Sequence, residues 1–216
     1  LITESSSAPL ATALLVPLLV QMAALMLTSA LSSGFDWLYP VRIGIVTAAL
    51  YYYREIFTKL IWNWTWQAPL IGVLVFIVWM QLESNDKSSG IILMQGLEES
   101  PRGLAAAWLF FRVFGSIITV PLAEELAFRG YLIRKLVAKD FENVPNGTFT
   151  WLSFIVSSLL FGLLHDRWLA GTLAGLGYAL ALYRRGNIGD AIVAHMTTNA
   201  LIAIVVLTQG RWALWA

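Results

Sequence analysis

The chain has 216 residues, 58% of them apolar and only 12% Asp, Glu, Lys or Arg, with a mean hydropathy of +0.72. A soluble domain carries about 25% charged residues, so this composition argues against a water-soluble globule and against a solvated, disordered chain. A net charge of +1 is too balanced for a nucleic-acid binder, and the absence of Cys removes disulfides, thiolate zinc sites and cysteine nucleophiles.

The length suits one domain or two small ones. Leu1 in place of an initiator Met leaves open a trimmed, processed or excised terminus, and the first apolar stretch is too long for a signal-peptide core. A membrane-crossing helix needs about 20 apolar residues. Ala8–Leu31 meets that length, with Pro17 as a kink point. Ile43–Tyr53 is shorter and spans only if Trp37–Val41 joins it and Arg42 snorkels to the surface. Ile61–Leu82 opens with Trp62, Trp64 and Trp66, which read as an interfacial aromatic belt. Asn85–Pro101 is a polar loop with a short interfacial piece at Ile91–Leu97. Four more runs follow: Gly103–Ala123, interrupted by Arg112, then Val144–Leu164, Trp168–Tyr183 and Ala191–Gly210.

Backbone groups in lipid must bond within their own segment, so these runs predict an all-α fold, a polytopic transmembrane helical bundle of about seven spans. Small residues at Ala170, Gly171, Ala174 and Gly175 permit close helix contact. The cations Arg54, Lys59, Arg134, Lys135, Lys139, Arg184 and Arg185 follow spans two, four and six. The other connections hold Asp36, Glu83, Asp86, Glu98, Glu99 and Asp166. The positive-inside rule then puts the N-terminus in the cytoplasm, in a multi-pass protein of the inner or plasma membrane.

Polar groups inside such spans are expensive and therefore informative. Glu124 and Glu125 directly follow an apolar run. At 100° per residue they cannot share a helix face. Glu125 and Arg129 are spaced i,i+4 in the favourable order, whereas Glu124 has no local partner. Pro121 frees the carbonyl of Ile117 in ordinary α pairing. Taken alone, this stretch also reads as a helix leaving the membrane with solvated charges. His165 and His195 are the only two histidines, and Asn199 lies one turn beyond His195 on the same face.

Each histidine alone reads as a packing residue. Together, an unpaired Glu, two His and an Asn suffice for amide hydrolysis without a covalent intermediate. The carboxylate acts as base on water, an imidazole shares the proton, and the second His and the amide face an oxyanion. A zinc site built from two His and a Glu is the rival, although there is no H-E-x-x-H and the histidines lie 30 positions apart. A transporter with a proton relay is a third reading, disfavoured by the lack of an inverted repeat.

Glu124-Glu125-x-x-x-Arg129, Phe161-x-x-x-His165 and His195-x-x-x-Asn199 occur in that order on three apolar segments, with Gly130 after the Arg. The set resembles the CAAX-protease and bacteriocin-processing (Abi) family of glutamic intramembrane endopeptidases, over about residues 104–208. The resemblance implies that Glu124 is the base on the hydrolytic water, assisted by His165. It implies an oxyanion site at His195 and Asn199, and supporting roles for Glu125, Arg129 and Phe161. It implies no cofactor, and a peptide or protein substrate at the membrane; some members act as binding scaffolds. On this reading 104–216 is the catalytic core, 1–103 supplies N-terminal spans of unmatched sequence, and both form one integrated membrane domain. One distance sets a further expectation. If the fifth span began at Val144, His165 would sit roughly 28 Å from Asn146, at the wrong face for Glu124. The Pro, Asn and Gly of Val144–Thr150 suit a loop, so that helix is expected to start near Trp151.

Overall fold

A computed structural model describes residues 10–32, 34–60, 62–82 and 88–215. Ala8 and Pro9 of the first predicted span, Ile61 at the start of the third, and Glu83, Asn85 and Asp86 lie outside the described residues. The described residues form helices and no strand. They are α1 (Leu10–Leu31), α2 (Tyr39–Tyr52), α3 (Gln67–Gln81) and α4 (Ser88–Glu99). After them come α5 (Arg102–Val137), α6 (Trp151–Leu163), α7 (Trp168–Arg185) and α8 (Ile188–Gln209). All but α4 correspond to the seven predicted spans. By length and composition α1, α5 and α8 can each cross a membrane, while α3 and α6 are shorter apolar helices. Large apolar side chains point outward, among them Met26, Leu27, Phe110 and Leu163. In a bundle whose solvent is lipid this is the expected side for them, and the chain is an integral membrane protein.

Local chemistry explains the boundaries. Thr150 caps α6, its Oγ1 accepting the Ser153 N–H at 3.1 Å, so this helix begins at Trp151 as expected. Gly186 ends α7 in the left-handed conformation, and Asn187 at once caps α8 by accepting the Gly189 N–H at 2.9 Å. The third span starts later than predicted. Residues 62–66 are irregular and are tied to the α7–α8 turn, with the Thr65 N–H donating to Asp190 at 2.8 Å. Arg42 does not snorkel. It is buried, paired with Asp36 and donating to Thr28 Oγ1 at 3.0 and 3.2 Å.

The largest departure is α5. It does not stop at Ala123 but runs on to Val137, carrying Glu124, Glu125 and Arg129 inside the bundle at 6%, 0% and 1% exposure. The reading of these charges as a solvated helix exit is therefore wrong; all three are buried, Glu125 and Arg129 pair with each other, and Glu125 also meets His195 of α8. The extension also closes the depth arithmetic. Glu124 lies 13 residues before Val137, and His165 lies 14 residues after Trp151 on the neighbouring helix. At 1.5 Å per residue these are about 20 and 21 Å, and Glu124 and His165 line the same cavity.

Packing brings the remaining elements to that depth. Contact is most extensive between α6 and α7, where a Cβ on Gly171 would lie 3.0 Å from the Gly162 Cα, as the small-residue pattern suggested. The α3 helix rests on α8 at Gly72. A Cβ there would lie 2.3 Å from the Ala194 carbonyl, and Thr198 donates to the Gly72 carbonyl at 2.9 Å. Gly72→Val is expected to destabilise the protein by about 1–3 kcal/mol through forced separation of α3 from α8. Thermal unfolding in detergent measures this. Gly44→Ala on α2, where a Cβ meets nothing within 4 Å, is the control that leaves the melting temperature unchanged or higher.

Candidate active site

Two π-helical turns, Gly115–Thr119 and Leu126–Leu132, bracket the α-helical turn Val120–Glu125. The first follows from Gly115 and Pro121. The Val120 N–H reaches back five residues to the Gly115 carbonyl. The next group in that register would be the N–H of Pro121, which does not exist. The carbonyl left over is that of Ser116, one residue before the Ile117 expected from α pairing. Asn199 Nδ2 donates to it at 2.7 Å. A backbone gap in α5 thus holds the α8 amide in place, with the second Nδ2 hydrogen still to give.

Four ionisable groups meet between α5 and α8. Glu125 and Arg129 form the predicted i,i+4 pair, with Nη1 donating to Oε1 at 3.2 Å and Nε 3.1 Å from Oε2. Arg129 Nη2 reaches across to the Gly175 carbonyl of α7 at 2.8 Å. His195 inserts between the two adjacent carboxylates. Its Nδ1 lies 2.9 Å from Glu125 Oε1, and its Nε2 lies 3.9 Å from Glu124 Oε2. The two acids point apart, as 100° per residue requires, and reach opposite edges of one imidazole. In its pairing with Arg129 Glu125 is the acceptor, and in the same arrangement the Nδ1–H of His195 donates to Oε1. Tyr178 stacks on the same ring at 4.4 Å and Phe161 meets it edge-on at 5.7 Å, so the ring cannot swing.

His165 sits in the turn after α6, half-buried. Its Nδ1 is 2.9 Å from the Phe161 carbonyl, which can only accept. Nδ1 therefore carries the proton, and neutral His165 keeps a lone pair on Nε2. The indole of Trp79 on α3 lies edge-on to this ring at 5.9 Å. The Phe161 ring lies under the Arg129 guanidinium at 4.5 Å, so one residue steadies the imidazole with its carbonyl and the guanidinium with its face. Glu124, His165, His195 and Asn199 all line one cavity of about 200 Å³. Glu124 Oε2 is buried there and accepts no hydrogen bond.

One contact escaped the sequence reading. Gln21, on α1, donates from Nε2 to Glu124 Oε1 at 3.4 Å. The available signal was a lone amide in the apolar run Leu10–Ala24. Residues 106–201 match a family model described as type II CAAX prenyl endopeptidase Rce1-like. That stretch is similar to the Rce1-like membrane-protease family. No curated protein and no solved structure matches it. Every residue of the three motifs falls inside the Rce1-like stretch, whereas Gln21 comes from a helix that precedes it. Among the described residues no three His, Asp or Glu side chains are placed to hold one metal ion.

Proposed function

We propose that this Rce1-like protein is a glutamic endopeptidase that hydrolyses a peptide bond of a membrane-associated substrate, with Glu124, His165, His195 and Asn199 as its catalytic residues. The observation that carries the proposal is the open carboxylate of Glu124, buried on one cavity with two imidazoles and an amide from other helices. Glu124 and neutral His165 Nε2 are both acceptors. A water between them donates one hydrogen to each, which turns its lone pair toward the scissile carbonyl. Its oxygen bonds to the carbonyl carbon while Glu124 takes a proton. The tetrahedral oxyanion accepts from the second Nδ2 hydrogen of Asn199. His195 serves the same oxyanion when Nε2 also carries a proton. Collapse breaks the C–N bond, and the Glu124 proton leaves on the amine.

Glu125, Arg129 and Phe161 support this set by fixing the two rings. The distribution of Lys and Arg favours a cytoplasmic N-terminus. Mass spectrometry of membrane peptides from cells carrying the wild-type chain or Glu124→Gln tests the whole reading. Fragments that appear with the wild type and vanish with the variant are the expected result, and they identify the substrate. Stoichiometric peptide binding without any shortened product would instead mark a scaffold.

A further inference from the structure

Gln21 is the one amide or charged side chain in α1, whose other 21 residues are apolar or hydroxyl-bearing. The backbone decides where it points. Gly130 of α5 lets α1 come close, since a Cβ there would lie 3.0 Å from Leu14 Cδ2, and Leu14 is fully buried at this crossing. From Leu14 to Gln21 is seven residues, nearly two full turns, so both side chains leave the same face of α1 about 10 Å apart. From Gly130 back to Glu124 is six residues, about 9 Å along α5. Two helices that touch at Leu14 and Gly130 and run in opposite directions therefore set Gln21 against Glu124.

There Nε2 donates to Glu124 Oε1 at 3.4 Å. Gln21 Oε1 is buried and has no hydrogen-bond partner among the described residues. An amide inside a lipid-embedded bundle with its carbonyl unpaired is expensive, and Leu or Met would fill the same place at less cost. The contact also does something that packing cannot. The two oxygens of a carboxylate are chemically equivalent, and rotation about the last side-chain bond exchanges them. The Gln21 bond removes that equivalence, because Oε1 is engaged and Oε2 is left buried without a donor on the cavity side.

We infer that Gln21 is a positioning residue for the hydrolytic step: it holds Oε1 of Glu124 so that Oε2 is the oxygen that takes the proton from water. The inference rests on the peptidase reading above. In that step one water O–H bond breaks, its proton goes to Oε2, and the water oxygen bonds to the scissile carbonyl carbon. The Gln21 amide keeps both of its protons throughout. Because α1 precedes the Rce1-like stretch, the base of residues 106–201 is aimed by a helix that lies outside that match.

The test uses the full chain in nanodiscs with Gln21→Met, which keeps the side-chain length and removes the donor, and with Gln21→Leu as a second variant. Turnover is read on an S-farnesyl peptide ending in Cys-Val-Ile-Met. In both variants kcat is expected to fall about 5- to 30-fold, with KM and the melting temperature unchanged. Added to Glu124→Gln, Gln21→Met should lower the residual rate no further, because it acts through that carboxylate alone. A second readout needs no turnover. Infrared spectra of the chain carrying glutamate labelled with ¹³C at the carboxyl, less the spectrum of Glu124→Gln, isolate the Glu124 carboxylate bands, and Gln21→Met should move the antisymmetric stretch. Wild-type kcat in both variants overturns the proposal, and so does an unmoved band. A fall in kcat that matches a fall in melting temperature makes Gln21 a packing residue and overturns it too. A wild type that leaves the peptide whole counts against the peptidase reading, and the infrared band then decides alone whether Gln21 holds Glu124. Cleavage with kcat and band both unmoved does the reverse, rejecting the positioning role and leaving the peptidase.

Discussion

Glu124→Gln is expected to lower kcat by about 10²–10⁴-fold on the peptide that the wild type cleaves, with the melting temperature unchanged or raised. The asymmetry between the two acids is the reason. Glu125 has an ion partner at each oxygen and shares one of them with His195. Glu124 receives a single long hydrogen bond from Gln21, and its other oxygen faces the cavity without a donor. A carboxylate left open in this way contributes little to holding helices together, so an amide of the same shape costs the fold little. What the amide cannot do is take a proton from water. Stopped-time assays and a thermal melt on the same preparation settle the matter. Wild-type turnover by the variant ends the glutamic mechanism, and a large fall in melting temperature would show that Glu124 is a structural group.

The same contrast explains how much was legible in the sequence. Lipid strips a chain of polar side chains wherever they have no task. The seven apolar runs therefore stood out by length, and the few polar residues inside them stood out by type. Glu124, His165, His195 and Asn199 were visible in that way, and they do line one cavity. Run length failed where charges are neutralised by distant partners. The continuation of α5 to Val137 was hidden because Glu125 and Arg129 look like surface residues until His195, 70 positions away, is placed beside them. Arg42 was misjudged for a different reason: its partners Asp36 and Thr28 are near in sequence, but only the packing of α1 on α2 brings them onto the guanidinium. The π register at Gly115–Thr119 was out of reach because it depends on helix packing as well as on Pro121, and it moves the freed carbonyl by one residue. Gln21 could have been noticed as the lone amide in its run, but only the approach of α1 to α5 gives it a target.

Arg129→Met should be the most destabilising single change in the bundle, at about 3–5 kcal/mol. Arg129 is 1% exposed, and its removal leaves the Glu125 carboxylate buried without its counter-ion and the Gly175 carbonyl without its donor. Removing both charges together behaves differently, because a buried pair stabilises a fold far less than half of it destabilises. The double variant Glu125→Leu/Arg129→Met is therefore expected to recover most of the lost melting temperature. It should not recover activity. His195 Nδ1 would have lost the acceptor that fixes its proton and its orientation, and the imidazole could no longer present Nε2 to an oxyanion beside Glu124. Thermal unfolding and peptide turnover measured on the single and double variants separate the two effects. A double variant that regains cleavage along with stability would reduce the pair to packing, and would release His195 from the role assigned to it.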